Sequence, residues 1–159
     1  MSLFVASLNS GSNGNCYYVG NQDEAVLIDA GISCSETKKR MKRLGLSIKK
    51  VKAVFVSHEH GDHIHGVTSL SKKHQLPVYI TRETLNNGKL TIREDRVFTL
   101  DADAAIQVGN LTVRAFPKFH DASDPYSFMV SSATVNVGIF TDIGRPCENV
   151  IRHFSQCHA

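Results

Sequence analysis

The chain has 159 residues, of which 42% are hydrophobic and 21% are charged, and its formal net charge is +3. This length and balance suit one globular domain with its own core, and no apolar run approaches the ~20 residues needed to cross a bilayer. The N-terminal stretch MSLFVASLNS lacks the basic region and the long apolar segment of a secretory signal, which favours a cytoplasmic protein without a membrane partner. The four cysteines form no CxxC pair, which argues against a disulfide framework or a thiolate zinc knuckle.

The first third of the chain predicts a β-hairpin, a further strand and a basic helix. LFVASLN and CYYVG are rich in strand-forming residues, and the SGSNGN between them suits a tight turn. AVLIDAG is a mostly apolar strand that ends at Asp29 and a glycine. In SCSETKKRMKRLG, Ser33 or Ser35 can cap the start of a helix, and Gly45 fits just past its end.

The rest of the chain predicts strands mixed with helices, then a β-meander and a closing helix. AVFV and PVYI are continuous apolar strands of the kind that is buried on both faces, and HGVTSLSKKHQ and TRETLNNGK predict helices. Further strand patterns begin at Arg96, and PCENVIRHFSQC has a helical pattern. This order favours an α+β fold in which helices pack outside stacked sheets.

A run of basic residues follows the first apolar strand. KKRMKRLGLSIKKVK contains eight lysines and arginines and no acidic residue. Such a run is consistent either with a solvated helix face or with a surface for the phosphates of a nucleic acid. On the second interpretation, the helix residues that would contact DNA are Lys38, Lys39, Arg40, Lys42 and Arg43.

The segment VSHEHGDHIHG contains four of the eight histidines of the chain, directly after a buried strand. Side chains at i and i+2 of an extended segment point the same way, so His58 and His60 can bind one metal ion. Gly61 lets the chain turn, after which Asp62 and His63 can approach a second ion from another direction. Imidazole and carboxylate together suit zinc, iron or manganese. A polar loop without metal is the alternative, but it would crowd imidazoles that repel one another when protonated.

Further ligands are expected downstream, because the histidine segment alone does not complete a hydrolytic site. RAFPKFHDASDP offers His120 at a strand end, and VGIFTDIG offers Asp142 at another strand end. Each of these residues alone would fit an ordinary hydrogen-bonded loop residue. Together with the histidine segment, they predict a metal centre assembled from several strand ends.

The ordered motifs resemble those of the metallo-β-lactamase superfamily over essentially the whole chain. They are Asp29 in LIDAG, the histidine segment, His120 and Asp142. Three stretches are most similar to the YycJ/WalJ-like branch of that family: SLNSGSNGNCYYV, FHDASDPYSF and FTDIG. The resemblance implies an αββα four-layer sandwich with its metal site along one edge of the two sheets.

The same resemblance implies two divalent ions, with zinc as the expected metal and manganese or iron as alternatives. The implied ligands are His58, His60 and His120 for one ion and Asp62, His63 and a bridging Asp142 for the other. Asp62 would also act in catalysis, by orienting the attacking hydroxide. Asp29 would order the histidine segment without binding a metal itself.

The end of the chain departs from the family pattern. The family continues past the closing helix into a strand and a second αβ half, which supply a further histidine ligand for the second ion. This chain ends in SQCHA, and His158 lies in a different context, at the end of a helix. We therefore expect residues 1–159 to be the N-terminal part of a longer protein, with the second metal position incomplete.

The function implied by the resemblance is that of a metal-dependent hydrolase. The first hypothesis is a phosphodiesterase that acts on DNA as a 5′→3′ exonuclease, through a hydroxide held by the ions. The basic run after Asp29 suits that substrate. The second is a glyoxalase-II-type thioesterase or a lactonase, which would use the same ligands on a small substrate. The third is a metal-binding protein without turnover, against which the presence of Asp62 and Asp142 argues.

Overall fold

The computed structural model describes residues 2–159. Within this range the chain forms ten β-strands and five α-helices. The strands are β1 (Phe4–Asn9), β2 (Cys16–Gly20), β3 (Ala25–Ile28), β4 (Val51–Phe55), β5 (Val78–Ile80), β6 (Val97–Thr99), β7 (Ala105–Val108), β8 (Leu111–Pro117), β9 (Tyr126–Ser132) and β10 (Val135–Ile139). The helices are α1 (Cys34–Arg43), α2 (Gly61–Ile64), α3 (Val67–His74), α4 (Arg82–Asn87) and α5 (Glu148–Phe154). Among residues 2–159, no helix has the length and apolar character needed to span a bilayer.

Six strands form the first sheet in the order β1-β2-β3-β4-β5-β6, so each strand pairs with its neighbour in the chain. β1 and β2 form the hairpin predicted around the SGSNGN turn, and β2 pairs antiparallel with β3. From β3 to β6 the pairing is parallel, because each connection contains a helix that returns the chain to the starting edge. The carboxyl ends of these four strands therefore lie at one edge of the sheet.

The second sheet is an antiparallel meander in the order β10-β9-β8-β7. Its register places Val130 of β9 between Val113 of β8 and Val137 of β10. The backbone N–H of Tyr126, at the start of β9, donates to the carbonyl oxygen of Ser57 at 2.9 Å. Because Ser57 follows β4, this bond joins the second sheet to the edge at which the parallel strands end.

The outer face of the first sheet packs against helices. Leu27 of β3 and Val54 of β4 belong to one buried apolar cluster with Met41 of α1 and Leu70 of α3. The buried residues of α1 recur at helical spacing, as do those of α3, so each helix buries one face and exposes the other. They are Cys34, Thr37 and Met41 in α1 and Val67, Leu70 and Ser71 in α3. A layer of helices therefore covers this face of the sheet.

The inner faces of the two sheets form the central core. Val26 and Phe55 of the first sheet belong to a second cluster with Val113 and Phe128 of the second sheet. Adjacent residues such as Val26 and Leu27 enter different clusters because side chains alternate across a strand.

A third buried cluster lies outside the second sheet, where Phe116 and Met129 pack against Val150 of α5. The layer order is therefore helix, sheet, sheet and helix. This order confirms the predicted α+β fold and its αββα arrangement.

Helix α1 shows how the local sequence determines an element. Of the two predicted capping residues, Ser33 is the cap, and its side-chain oxygen accepts a hydrogen bond from the backbone N–H of Glu36 at 3.1 Å. Ser35 is the second residue of the helix. Past the end of the helix, Gly45 has a φ of +72°, a conformation that glycine adopts without steric cost. The predicted helix end is confirmed.

Candidate metal centre

Segments that follow four strands converge at one edge of the sandwich. They are Asp29 after β3, the histidine segment after β4, His120 after β8 and Asp142 after β10. Side chains that are far apart in the sequence therefore come within a few ångströms of one another. Rigid strands hold the loops of such a site in place.

One group in this region consists of His58, His60 and His120, with one ring nitrogen of each lying within 4.8 Å of the others. His120 Nε2 lies 3.4 Å from His60 Nδ1. The ring centroid of His58 lies 4.7 Å from that of His60 and 4.6 Å from that of His120. Three imidazoles that converge in this way form a donor set typical of zinc.

A second group consists of His58, His63 and Asp142, so His58 is common to both groups. Asp142 Oδ2 lies 2.6 Å from His63 Nε2 and 3.5 Å from His58 Nε2. Asp62 borders this group, since its Oδ2 lies 3.6 Å from His63 Nε2. The structure thus brings together all six side chains that the sequence and the resemblance indicate as ligands.

One ring nitrogen of His58 is buried and has no hydrogen-bond partner. His58 Nε2 makes no hydrogen bond to any of the residues 2–159. Burial lowers the pKa of His58 to about 2, and the charge of His63 contributes in the same direction. His58 is therefore a neutral imidazole, the form that binds metals. An ion at this point would give the buried nitrogen a partner, so the residues present fit a metal site.

His63 lies between two carboxylates. Its Nδ1 is 2.6 Å from Asp29 Oδ2, and its Nε2 is 2.6 Å from Asp142 Oδ2. Burial acts to lower the pKa of His63, but the hydrogen bond and the charge of Asp29, together with the charges of Asp62 and Asp142, outweigh burial, so the pKa is raised. When Nδ1–H donates to Asp29, Nε2 can face an ionised carboxylate this closely only with a proton or a cation between them.

Asp29 holds the histidine segment in place through hydrogen bonds. Its fully buried carboxylate accepts hydrogen bonds from the backbone N–H and the hydroxyl of Ser57, both at 2.7 Å, and contacts His63 Nδ1 at 2.6 Å. The φ of Asp29 is +61°, a left-handed conformation that aspartate adopts more readily than most residues. This is the geometry of a carboxylate that orients a metal-binding imidazole.

Asn15 is a residue of the site that sequence analysis does not identify. Its Nδ2 lies 3.2 Å from Asp62 Oδ2 and 3.2 Å from His63 Nε2, and its backbone N–H donates to the carbonyl oxygen of Asp62 at 2.6 Å. The hairpin that contains Asn15 borders a cavity of about 360 Å³, which Asp62 and Asp142 also line. The only sequence signal is its place as the last residue of the SGSNGN turn, where asparagine is common for conformational reasons.

Lys118 is a second residue that the sequence does not single out. Its side chain is buried, and its Nζ donates a hydrogen bond to the carbonyl oxygen of Thr141. Burial lowers the pKa of Lys118 to about 8, while the charges of Asp29 and Asp142 act in the opposite direction. The lysine therefore ties the end of β8 to the loop that presents Asp142.

Gly31 packs directly against the backbone of the histidine segment. A Cβ at this position would lie 1.7 Å from the carbonyl oxygen of Asp62 and 2.7 Å from the backbone nitrogen of Asn15. We expect Gly31→Ala to lower the free energy of unfolding by about 3 kcal/mol, because the new methyl group displaces backbone on both sides. Urea denaturation measures the loss. Gly61→Ala is the matched control, since its Cβ would meet no heavy atom of the described residues within 4 Å. Equal stability of the two variants would contradict this close packing.

The basic residues predicted to contact DNA lie on the outer helical layer. They are Lys38, Lys39, Arg40, Lys42 and Arg43 of α1. Arg40 differs from the others, because its guanidinium donates to the carbonyl oxygen of Leu8 at 2.9 Å and to Glu36 Oε1 at 3.0 Å. It therefore ties α1 to the end of β1.

Comparisons with known proteins show the family of this chain. A family model of the metallo-beta-lactamase superfamily matches residues 10–144. Exodeoxyribonuclease YycJ of Bacillus anthracis is 34% identical, over 91% of this chain and 56% of that protein. Exodeoxyribonuclease WalJ of Streptococcus pneumoniae is 27% identical, over 86% of this chain and 53% of that protein. The chain thus spans about half the length of these relatives, and the predicted likeness to the YycJ/WalJ-like branch is confirmed.

Solved structures show the same fold. A metallo-beta-lactamase from Cronobacter sakazakii, mutated in its HARLDQ motif, matches with a TM-score of 0.73 at 16% identity, over 98% of this chain and 75% of that chain. The residues matched by the family model include the histidine segment, His120 and Asp142. The chain belongs to the metallo-β-lactamase superfamily.

Proposed function

We propose that this chain acts as a metal-dependent phosphodiesterase on DNA, with the polarity of a 5′→3′ exonuclease. The observation that carries the proposal is the pair of ligand groups that share His58, since two adjacent ions are a common device for cleaving phosphodiesters. The names of the relatives from Bacillus anthracis and Streptococcus pneumoniae, both exodeoxyribonucleases, support DNA as the substrate. The proposed place of action is the cytoplasm.

The proposed ligands divide between two ions. His58, His60 and His120 would bind one ion, and Asp62, His63 and Asp142 would bind the other. Zinc is the proposed metal because imidazole and carboxylate are its usual ligands, and manganese or iron accept the same set. When bound, the ions would supply a water of lowered pKa and would neutralise charge on the phosphodiester oxygens.

Asp62 is the proposed proton acceptor. Its side chain is 31% exposed and lines the cavity beside the ligand groups, while Asn15 fixes its Oδ2 at 3.2 Å. A carboxylate that is both fixed and accessible can orient the attacking water and accept its proton. Asp29 has a different role. It accepts a hydrogen bond from Nδ1–H of His63, so that Nε2 of this imidazole faces the metal position.

An end-labelled linear DNA tests the proposal. With added zinc or manganese, we expect the chain to release mononucleotides from the 5′ end, and we expect EDTA to stop the release. Asp62→Asn should lower the rate by about 10²- to 10⁴-fold, because the amide cannot accept the proton. His65→Ala is the matched control, since His65 is an exposed histidine of the same segment that belongs to neither ligand group.

Other results of this experiment would support a different function for the site. Hydrolysis of a small thioester or lactone without cleavage of DNA would identify the second hypothesis, a small-substrate hydrolase. Metal binding without hydrolysis of any of these substrates would identify a non-catalytic metal-binding protein. DNA cleavage that persists in EDTA, or at the unchanged rate in Asp62→Asn, would contradict the proposed mechanism.

A further inference from the structure

A set of basic side chains lies at the edge of the first sheet that is opposite the metal centre. The metal ligands follow the carboxyl ends of the strands, whereas this second region lies at their amino ends. β4, β5 and β6 begin at Val51, Val78 and Val97, and basic residues occur close to each of these positions. Three adjoining grooves of the helical layer contain them.

The first groove lies beside α1 and has a volume of about 480 Å³. Lys38, Lys39 and Lys42 line it together with Leu46 and Ile48. Lys39 and Lys42 are exposed, which leaves their ammonium groups in solvent. The groove therefore combines an apolar floor with cations at its rim.

The second groove, of about 380 Å³, shares Ile48 with the first. Lys49, Lys52 and His74 line it near the starts of β4 and β5. Burial lowers the pKa of His74, and the charge of Lys38 contributes to this shift. Lys38 on α1 is thus close enough to act on the end of α3, so the first two grooves form one basic region.

The third groove, of about 300 Å³, shares Gln75 with the second. Lys72, Arg93 and Arg96 line it, with hydroxyls of α3 beside them. Arg96 donates from Nη2 to Gln75 Oε1 at 3.1 Å, while its buried Nε has no hydrogen-bond partner among residues 2–159. The guanidinium of Arg96 therefore has hydrogen-bonding capacity that residues 2–159 do not use.

Acidic side chains do not neutralise this region. The sequence contains no acid between Thr37 and His58, and none between His63 and Arg82. The nearby Asp95 pairs with Arg93 at 2.7 Å, but both side chains are well exposed, so the pair is weak. Clustered cations with few counter-charges favour binding of a polyanion.

We propose that these three grooves form a binding surface for the phosphate backbone of a DNA strand, remote from the bond that is cleaved. This inference rests on the proposed function, because DNA as the substrate makes DNA the expected polyanion. The five residues of β4 separate the two edges by about 17 Å, which is about five nucleotides at a rise of 3.4 Å. A strand long enough to pass from the centre to the surface is therefore held at both ends.

Binding of a fluorescent 20-nucleotide DNA with a phosphorothioate backbone, measured by anisotropy across a salt series, tests the surface. The modified backbone resists hydrolysis, so binding is measured apart from cleavage. Lys42→Gln/Lys72→Gln removes one exposed cation from the first groove and one from the third. We expect binding to weaken about 25-fold at 0.1 M salt, and the slope of log K against log salt to fall by about 1.4, as two lost phosphate contacts require.

Arg114→Gln/Arg152→Gln is the matched control. It removes the same charge from the opposite side of the molecule, where both arginines contact Asp103. We expect this variant to bind the 20-mer like the unmodified chain. Thermal unfolding checks that both variants and the unmodified chain are folded.

Three results would overturn the inference. Equal losses of DNA affinity in both variants would mean that only net charge determines binding. No loss of affinity in Lys42→Gln/Lys72→Gln would mean that DNA does not bind to this surface. Binding of polyglutamate as tight as that of the 20-mer would identify an acidic protein as the partner. The two proposals can fail separately. If the chain binds DNA through this surface but does not cleave it, only the proposed nuclease function is refuted. If the chain cleaves DNA but Lys42→Gln/Lys72→Gln binds DNA normally, only the proposed surface is refuted.

Discussion

Replacement of His58 and His60 with alanine will abolish stoichiometric metal binding. His58 and His60 are two of the three proposed ligands of one ion, and His58 also belongs to the group around the second position, so the double variant disrupts both positions. Neutral imidazole is among the strongest protein ligands for zinc, and two alanines offer no replacement. Elemental analysis of protein purified without added metal should find metal in the unmodified chain and essentially none in the variant.

The matched control for this measurement is His65→Ala/His74→Ala. It removes two imidazoles that belong to neither group, and we expect it to keep the full metal content. One ion per unmodified chain, rather than two, would show that only one of the positions is complete. Metal retained by His58→Ala/His60→Ala, or none taken up by a folded unmodified chain after supplementation, would refute the metal centre.

Replacement of Asp29 with alanine will destabilise the fold even without metal. The substitution leaves the backbone N–H of Ser57 and Nδ1 of His63 buried without their acceptor. Removing one member of such a buried charged network typically costs about 3–5 kcal/mol. Alanine also tolerates the left-handed conformation at this position less well than aspartate does. Urea denaturation in EDTA measures this loss separately from any effect of metal.

Two further variants serve as controls for the loss of stability in Asp29→Ala. Asp23→Ala removes an exposed acid near the opposite end of β3, and we expect it to change stability by less than about 0.5 kcal/mol. Asp29→Asn preserves the shape and one acceptor oxygen, so its loss should lie between those of the two alanine variants. Stability of Asp29→Ala equal to that of Asp23→Ala would mean that the buried carboxylate does not support the histidine segment.

The local features of this protein are predictable from short stretches of sequence. The hairpin and the helix that ends just before Gly45 follow from turn residues, capping residues and apolar periodicity, whereas the αββα layer order is implied by the family resemblance. The pairing of His58 with His60 follows from the alternation of an extended segment. Each of these local features depends on residues that are neighbours in the chain.

The remaining features of the site depend on packing between distant segments. Asn15 contacts Asp62 across 47 residues of sequence, and nothing in the hairpin itself indicates this partner. Lys118 is buried only because the end of β8 packs beneath the loop of Asp142. Arg40 lies within a basic run, but its position relative to β1 directs it to Leu8 rather than to solvent. Neither the spacing of residues nor the composition of the sequence predicts such contacts.

The proposed ligands belong to different sheets: His58, His60 and His63 follow β4 of the first sheet, whereas His120 and Asp142 follow strands of the second. An ion bound among them is therefore a reversible cross-link between the two halves of the sandwich. Since such an ion binds the folded chain and not the unfolded one, a free ion concentration of 100 times the dissociation constant adds about 2.7 kcal/mol to stability. The folded fraction of this protein would then follow the supply of free metal in its surroundings, whether or not any substrate is present.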